Sequence, residues 1–176
     1  MNIKKEDLKI LFSEEELQTR IKALANEMNV LYKGEEVTAI CVLKGAVMFA
    51  TDLVKYLDMP IQMEFIRLSS YGSSTTTSGK VNAVDIKLPD LNGCNVLIIE
   101  DIVDTGLTAK FLVDFIGANF SVKSLKFCSL LDKKITRKVN IEPDFYGFDV
   151  DDKFIVGFGL DLDEMYRNLP FIGYVE

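Results

Sequence analysis

Short apolar runs alternate with helical patterns along this chain, and this alternation restricts the fold more than any other feature. Residues 37–43 and 95–99 are almost continuously apolar, as expected of parallel strands that are buried on both faces. Between such runs apolar residues recur at helical spacing, for instance after Ser13 and Glu16, which form a capping-box pattern. The alternation predicts an α/β fold with a doubly wound, mostly parallel sheet flanked by helices.

The same patterns place the remaining elements, and neither an internal repeat nor a linker interrupts them. We therefore expect one domain over residues 1–176. A polar turn is predicted at 101–105, and the helix after it is predicted to end at Gly117 as a C-terminal cap. The predicted helices are 13–34, 46–57 and 107–116, and the predicted strands are 37–43, 61–70, 81–86, 95–99, 122–131, 145–148 and 154–157, with an apolar tail at 171–175.

Composition limits the classes of function. Hydrophobic residues make up 48% and charged residues 27% of the chain, which is ordinary for a globular protein. The sequence has no histidine, so Ser-His and Cys-His nucleophilic sites are excluded. The net charge of −7 argues against a nucleic-acid surface. Three widely spaced cysteines, with no signal-peptide or membrane-spanning pattern, predict a cytoplasmic protein with no membrane partner.

An acidic segment that contains a glycine follows the apolar run at 95–99. Glu100 and Asp101 come directly after that run, and Asp104 precedes a Thr-Gly-x-Thr sequence at 105–108 that opens a predicted helix. The glycine permits a tight turn, and the free amides of the first helical turn can bind a phosphate group. Threonine hydroxyls can donate further hydrogen bonds. The end of the segment therefore predicts a phosphate site.

The three carboxylates of this segment would repel a phosphate on their own. Their presence is explained if they face ribose hydroxyls and a divalent cation, because Mg²⁺ binds carboxylate, phosphate and hydroxyl oxygens. The segment thus predicts a site for a sugar phosphate with Mg²⁺. The competing interpretation is an acidic turn in which Asp104 or Thr105 caps the helix, and for Asp104 both interpretations can hold together.

The whole segment resembles the 5-phosphoribosyl 1-pyrophosphate signature of type I phosphoribosyltransferases. Other motifs are similar to those of hypoxanthine-guanine phosphoribosyltransferases in particular, and they follow the family's order along nearly the whole chain. These motifs are Leu43-Lys44-Gly45, Ser70-Tyr71-Gly72, Leu130-Leu131-Asp132-Lys133, Asp152-Lys153-Phe154-Ile155-Val156-Gly157, Leu160-Asp161 and Tyr166-Arg167. The resemblance implies the type I fold with a small hood formed by terminal segments, and a cis peptide between Leu43 and Lys44.

The resemblance also implies an activity: transfer of a phosphoribosyl group to hypoxanthine or guanine, with Mg²⁺ as cofactor, in a homodimer or homotetramer. Asp104 is then the general acid/base beside the purine, and Glu100, Asp101 and Asp161 contact ribose hydroxyls and Mg²⁺. The other substrate-binding residues that it implies are Lys44, Gly45 and Arg167 for pyrophosphate, Thr105, Gly106, Leu107 and Thr108 for phosphate, Lys133, Lys153, Phe154 and Ile155 for the base, and Ser70 and Tyr71 in a mobile active-site loop at 69–80.

Two alternatives remain open from the sequence. The first is a regulator of the same fold that binds nucleic acid and senses the sugar phosphate, since a fold does not fix a function. The second is a sister enzyme that acts on xanthine or on a pyrimidine. The acidic charge argues against the regulator. A lysine at position 133, which can only donate hydrogen bonds, favours a 6-oxopurine over adenine.

Overall fold

A computed structural model describes residues 5–68 and 86–175 of the chain. The described residues form eight strands and three α-helices. The strands are β1 (Lys9–Phe12), β2 (Val37–Leu43), β3 (Ile61–Arg67), β4 (Asn95–Val103), β5 (Ser124–Asp132), β6 (Phe145–Asp149), β7 (Phe154–Val156) and β8 (Ile172–Val175), and the helices are α1 (Glu14–Leu31), α2 (Val47–Val54) and α3 (Leu107–Asn119).

Five strands form a parallel sheet in the order β3-β2-β4-β5-β6. Its two faces are covered by separate hydrophobic clusters, one that includes residues of α1 and α2 and one that includes residues of α3. Leu97 and Ile99 of β4 belong to the first cluster, whereas Val96 and Ile98 belong to the second. Alternate residues of the central strand are therefore buried on opposite faces, which explains its continuous apolar sequence and confirms the predicted doubly wound sheet.

A small antiparallel sheet in the order β1-β8-β7 stands apart from the parallel sheet. It joins chain segments from the two ends of the sequence, as the predicted hood requires. The sequence analysis did not find β1, because four residues with one lysine carry no clear period and become a strand only through pairing with β8. The predicted loop at 69–80 and most of the predicted strand at 81–86 lie outside the described residues.

Helix α1 begins where the sequence predicts it. Ser13 is the N-cap residue, its hydroxyl accepts a hydrogen bond from the Glu16 amide, and the Glu16 carboxylate accepts one from the Ser13 amide at 2.8 Å. These reciprocal bonds satisfy two amides that the helix cannot pair internally. None of the helices in the described parts of the chain is long and apolar enough to cross a bilayer.

Several predicted boundaries differ from the structure, and the largest differences near the site are at the ends of β4 and α3. Strand β4 continues to Val103 rather than ending at residue 99, since its pairing with β5 runs on to Val103 opposite Asp132. The predicted turn at 101–105 is therefore partly strand. Helix α3 continues to Asn119, and Gly117 lies inside it rather than at its C-terminal cap. A glycine in a helix costs only about 1 kcal/mol, which the packing of α3 on the sheet overcomes.

Candidate active site

The strand order opens a crevice between the carboxyl ends of β2 and β4. From β2 the chain continues to β3 on one side, and β4 lies on the other side. Pairing between β2 and β4 ends with Cys41 opposite Ile99, whereas β4 stays paired with β5 as far as Val103. The last residues of β4 thus have an unpaired edge. Ligands of doubly wound sheets bind at such a point.

Gly45 closes one side of the crevice against Asp101. A methyl group on Gly45 would lie 1.8 Å from Asp101 Oδ2, so any larger residue there would displace the Asp101 side chain or the turn. The peptide between Leu43 and Lys44 is cis, as the family resemblance implies. Gly159, in the turn after β7, packs on the same segment, and a methyl group on it would lie 2.0 Å from the Gly45 carbonyl oxygen. The Lys44-Gly45 turn is therefore held between β4 and the hood.

Glu100 and Asp101 are carboxylates with unusual environments. Glu100 is 5% exposed, and its Oε1 has no hydrogen-bond partner among the described residues. Burial, and secondly the charge of Asp101, raise the pKa of Glu100 to about 8. Burial also raises the pKa of Asp101 to about 6, against the opposing effect of hydrogen bonds from the amides of Asp101 and Ile102. The described residues thus stabilise the charged form of neither carboxylate fully.

Charged residues of the segment after β7 lie near Asp101. Arg167 Nη2 lies 2.7 Å from Asp161 Oδ1, and Arg167 Nη1 donates to the Gly159 carbonyl at 2.7 Å. The Lys44 ammonium lies 2.7 Å from Glu164 Oε2. Arg167 lowers and Asp161 raises the pKa of Asp101, so both lie within electrostatic reach of it. The crevice thus contains cations and carboxylates side by side.

The segment after β4 forms a small cavity of about 70 Å³ lined by residues of 100–109. Gly106, with a φ of 79°, is the N-cap residue of α3, and no described side chain caps the helix in its place. The interpretation of Asp104 or Thr105 as the N-cap is therefore wrong. The first amides of α3 remain able to bind an anion, apart from a weak bond of 3.4 Å between the Leu107 amide and Thr105 Oγ1.

Asp104 is exposed at the mouth of this cavity and is held by the segment after β5. The Thr136 hydroxyl donates to its carboxylate, and Arg137 Nε donates to its carbonyl oxygen at 3.1 Å. Arg137 also donates to the Val103 carbonyl at 3.3 Å and forms an ion pair with Asp132. Arg137 lies close to three lysines in the sequence, at 133, 134 and 138, and only its tertiary contacts show that it supports Asp104.

The end of β5 and strand β7 form the other end of the site. Lys133 is largely buried, and its ammonium lies 2.7 Å from Asp152 Oδ1 and 3.4 Å from the Lys153 carbonyl oxygen. Phe154 is 52% exposed although it is aromatic. Phe154 and Ile155 lie in β7, which belongs to the hood and not to the parallel sheet. The contacts of Lys133 bring the hood and the rim together.

A larger cavity of about 540 Å³ lies at the opposite, amino ends of β2, β3 and β4. Its polar groups are paired with one another: Lys123 lies 2.7 Å from Glu35, and the Asn95 amide donates to the Glu36 carbonyl at 3.1 Å. Since these polar groups are already paired with each other, they are less available to a ligand than the carboxylates at the carboxyl ends of the strands.

Comparison with known proteins agrees with this placement. Residues 8–163 match the phosphoribosyl transferase domain family. A hypoxanthine-guanine phosphoribosyltransferase of Bacillus subtilis is 46% identical over 168 residues, which cover 96% of this chain and 93% of that protein. The chain belongs to the hypoxanthine-guanine phosphoribosyltransferase family. A relative of the same name from Streptococcus thermophilus is 42% identical and covers 99% of this chain and 96% of its own length.

Solved members of the hypoxanthine-guanine phosphoribosyltransferase family share the fold. A crystal structure from Bacillus anthracis, with a HEPES molecule in its active site, superposes with a TM-score of 0.89 at 45% identity, covering 96% of this chain and 98% of that one. A hypoxanthine phosphoribosyltransferase from Staphylococcus aureus gives a TM-score of 0.91 at 37% identity, covering 97% and 93%. The predicted fold and family are confirmed. Ser70 and Tyr71 lie outside the described residues, and the remaining predicted site residues lie around the crevice or on the hood beside it.

Proposed function

We propose that this chain transfers the 5-phosphoribosyl group of 5-phosphoribosyl 1-pyrophosphate to hypoxanthine and guanine, forming IMP and GMP with release of pyrophosphate, as a step of purine salvage. The observation that carries the proposal is the acidic end of β4. There Asp101 lies against Gly45 in the crevice, and the buried Glu100 lines the small cavity formed with residues 102–109. A ribose 5-phosphate fits this arrangement, with its hydroxyls at the carboxylates and its phosphate at the cavity.

The donor's ribose 5-phosphate fits the two parts of this segment. The phosphate would accept hydrogen bonds from the amides and hydroxyls of residues 105–108, where the positive end of the helix dipole favours an anion. The ribose hydroxyls would donate to Glu100 and Asp101. Since Glu100 Oε1 is buried without a described partner, a hydroxyl donor there restores a missing hydrogen bond.

Mg²⁺ is the proposed cofactor, held by Glu100, Asp101 and Asp161 with substrate oxygens. Hard carboxylate oxygens and the unpartnered Glu100 atom suit this ion. Within residues 5–68 and 86–175, no three acidic, cysteine or histidine side chains form a metal cage by themselves. Mg²⁺ would therefore contact only one or two of these carboxylates at a time, together with phosphate oxygens and water. When bound, the ion neutralises charge on the leaving pyrophosphate.

The pyrophosphate would lie against Lys44, Gly45 and Arg167. The absence of a side chain at Gly45 lets the backbone approach the phosphate oxygens, and the two cations supply charge-assisted hydrogen bonds. Arg167 Nε is buried with no partner among the described residues, so it retains a donor. Departure of pyrophosphate leaves positive charge on the sugar, which the carboxylates of β4 stabilise.

The purine would lie between the end of β5 and β7. Phe154 offers an exposed ring for stacking, Lys133 can donate to the 6-oxo group, and the backbone around Lys153 and Ile155 can bind the purine edge. Asp104 would exchange a proton with the imidazole nitrogen of the base as general acid/base. Its carboxylate is exposed toward solvent, so a base can reach it.

The decisive experiment is a steady-state comparison of hypoxanthine, guanine, xanthine and adenine with the phosphoribosyl donor and Mg²⁺. Pyrophosphate release and nucleotide formation are both measured. We expect transfer to hypoxanthine and guanine and much less to adenine, because Lys133 cannot accept a hydrogen bond from the adenine amino group. Transfer to xanthine alone would indicate the sister enzyme. No transfer to any base would overturn the proposal.

Assembly and location complete the proposal. We expect a homodimer or homotetramer in the cytoplasm, with no nucleic-acid partner. Size-exclusion chromatography with light scattering measures the assembly, and retention of a labelled duplex by the protein at moderate salt would contradict the last point.

A further inference from the structure

Glu164 contacts the two cations that the proposed function assigns to pyrophosphate. Its Oε2 lies 2.7 Å from the Lys44 ammonium and 3.4 Å from Arg167 Nη2. These ion pairs lower the pKa of Glu164, first through the hydrogen bond from Lys44. A carboxylate oxygen of the chain itself thus lies where the cations would otherwise meet a phosphate oxygen.

The backbone around Glu164 is shaped to hold it there. Leu162 and Met165 pair with each other through two hydrogen bonds of 3.2 and 2.9 Å, and Asp163 and Glu164 form the tip between them. Both tip residues have positive φ angles, 50° and 65°. A two-residue turn with two positive φ angles strongly favours asparagine and glycine. A glutamate therefore occupies a position that local preference would give to another residue.

A second bond fixes the turn relative to Asp161. The Glu164 amide donates to Asp161 Oδ2 at 2.9 Å, while Asp161 Oδ1 pairs with Arg167. The glutamate is thus anchored through its backbone, although its side chain is 63% exposed. Departures from local preference of this kind point to a role in function rather than in folding.

We propose that Glu164 is an internal counter-ion that competes with pyrophosphate for Lys44 and Arg167. This inference rests on the proposed function. Pyrophosphate, whether it arrives as part of the donor or forms as product, has to displace the Glu164 carboxylate before both cations can bind it. The competition weakens pyrophosphate binding, and it speeds product release because the carboxylate returns to the cations as the product leaves. Release of product often sets the turnover rate of such enzymes.

The matched variants are Glu164→Gln and Asp163→Asn. Each removes one negative charge from an adjacent position of the same turn, and both residues are exposed, but only Glu164 makes the pairs with Lys44 and Arg167 described above. Neither substitution changes side-chain size appreciably or requires a new backbone conformation. Thermal melting verifies that both variants are folded.

Calorimetric titration with pyrophosphate and Mg²⁺ tests the proposal on the wild-type protein and both variants. We expect Glu164→Gln to lower the Kd by about two- to five-fold, as loss of exposed ion pairs allows, and Asp163→Asn to leave it close to wild type. Equal tightening in both variants would show a general charge effect and overturn the proposal. Unchanged or weaker binding by Glu164→Gln would overturn it as well.

The same titration separates this inference from the function on which it rests. Binding by the wild-type protein without tightening in Glu164→Gln defeats the inference alone. A folded wild-type protein that binds no pyrophosphate with Mg²⁺ contradicts the proposed pyrophosphate site, and the inference with it.

Discussion

The Cα atom of Gly45 lies against the carboxylate of Asp101 so closely that a methyl group on it would be 1.8 Å from Oδ2. This contact joins the turn after β2 to the end of β4, which are the two walls of the crevice. Because the two segments are in contact, a shift of one displaces the other. The contact therefore couples the proposed pyrophosphate site to the proposed ribose site.

Replacing Gly45 by alanine is the first test of this coupling. The methyl group would push Asp101 or the turn aside, and displacements of about 1 Å in a catalytic site can cost about 100-fold in rate. We expect kcat/KM for the phosphoribosyl donor to fall by about that factor. Gly117→Ala is the control, since no described atom lies within 4 Å of the added methyl group and alanine favours the helix. Full activity of Gly45→Ala would contradict the proposed site.

Asp104→Asn removes the proposed general acid/base with little change in shape. We expect kcat to fall by about 10²- to 10⁴-fold while the melting temperature and the KM for the donor change little, because the side chain is exposed. Initial rates with hypoxanthine measure the effect. Asp114→Asn, which removes an exposed carboxylate paired with Lys110 at 2.6 Å on helix α3, should leave kcat unchanged. An active Asp104→Asn enzyme would show that the proton is transferred elsewhere.

Arg137→Lys tests the support beneath Asp104. Lysine cannot reproduce the guanidinium contacts with the carbonyls of Val103 and Asp104 and with Asp132, which is 1% exposed. A buried carboxylate that loses its partner is costly, so we expect a loss of about 2–4 kcal/mol in the free energy of unfolding, measured with urea. Lys138→Gln, at the exposed next residue, should change it by less than about 0.5 kcal/mol. Equal stability of the two variants would argue against this role of Arg137.

Phe154→Ala tests base stacking. Stacking of a base on an aromatic ring contributes about 1–3 kcal/mol, so we expect the KM for hypoxanthine to rise by about 10-fold or more while the KM for the donor stays constant. The half-exposed ring adds little to the core, so the melting temperature should hold. Val30→Ala, at an 80% exposed position of α1, is the control for loss of exposed apolar surface. A parallel rise in both KM values would point to a distorted site instead.

Tyr32 gives a prediction for alkaline pH. Burial raises its pKa from 10 to about 12. The unfolded chain therefore releases this proton near pH 10, whereas the folded chain keeps it, so stability is lost as pH rises from 10 toward 12. The loss is about 2–3 kcal/mol if the shift is fully expressed. In urea unfolding, the stability of Tyr32→Phe relative to wild type should increase between pH 8 and pH 11. A constant difference between the two proteins would refute the shift.

Local sequence patterns predicted the elements whose ends are decided locally. Strand β2 has the predicted bounds, and Ser13 caps α1 as expected, because the apolar run and the capping box are contained in a few neighbouring residues. The end of β4 could not be predicted in this way. Glu100 and Asp101 look like turn residues, and only pairing with β5 keeps them in the strand.

The same distinction applies to the site. The acidic segment and its glycine can be recognised from the sequence because strand, turn and helix follow directly along the chain. The approach of Gly45 to Asp101, the contacts of Arg137 and the pairing of Glu164 with Lys44 join residues far apart in sequence. No periodicity or composition encodes such contacts, and charged residues at these positions resemble ordinary surface residues.

One carboxylate oxygen of Glu100 is buried and has no hydrogen-bond partner among the described residues. A buried polar atom without a partner costs about 1–3 kcal/mol. A substrate hydroxyl or a cation that binds there supplies the missing partner. This new interaction contributes to the free energy of binding. The melting temperature of this chain should therefore rise as more of its active site is occupied by ligand.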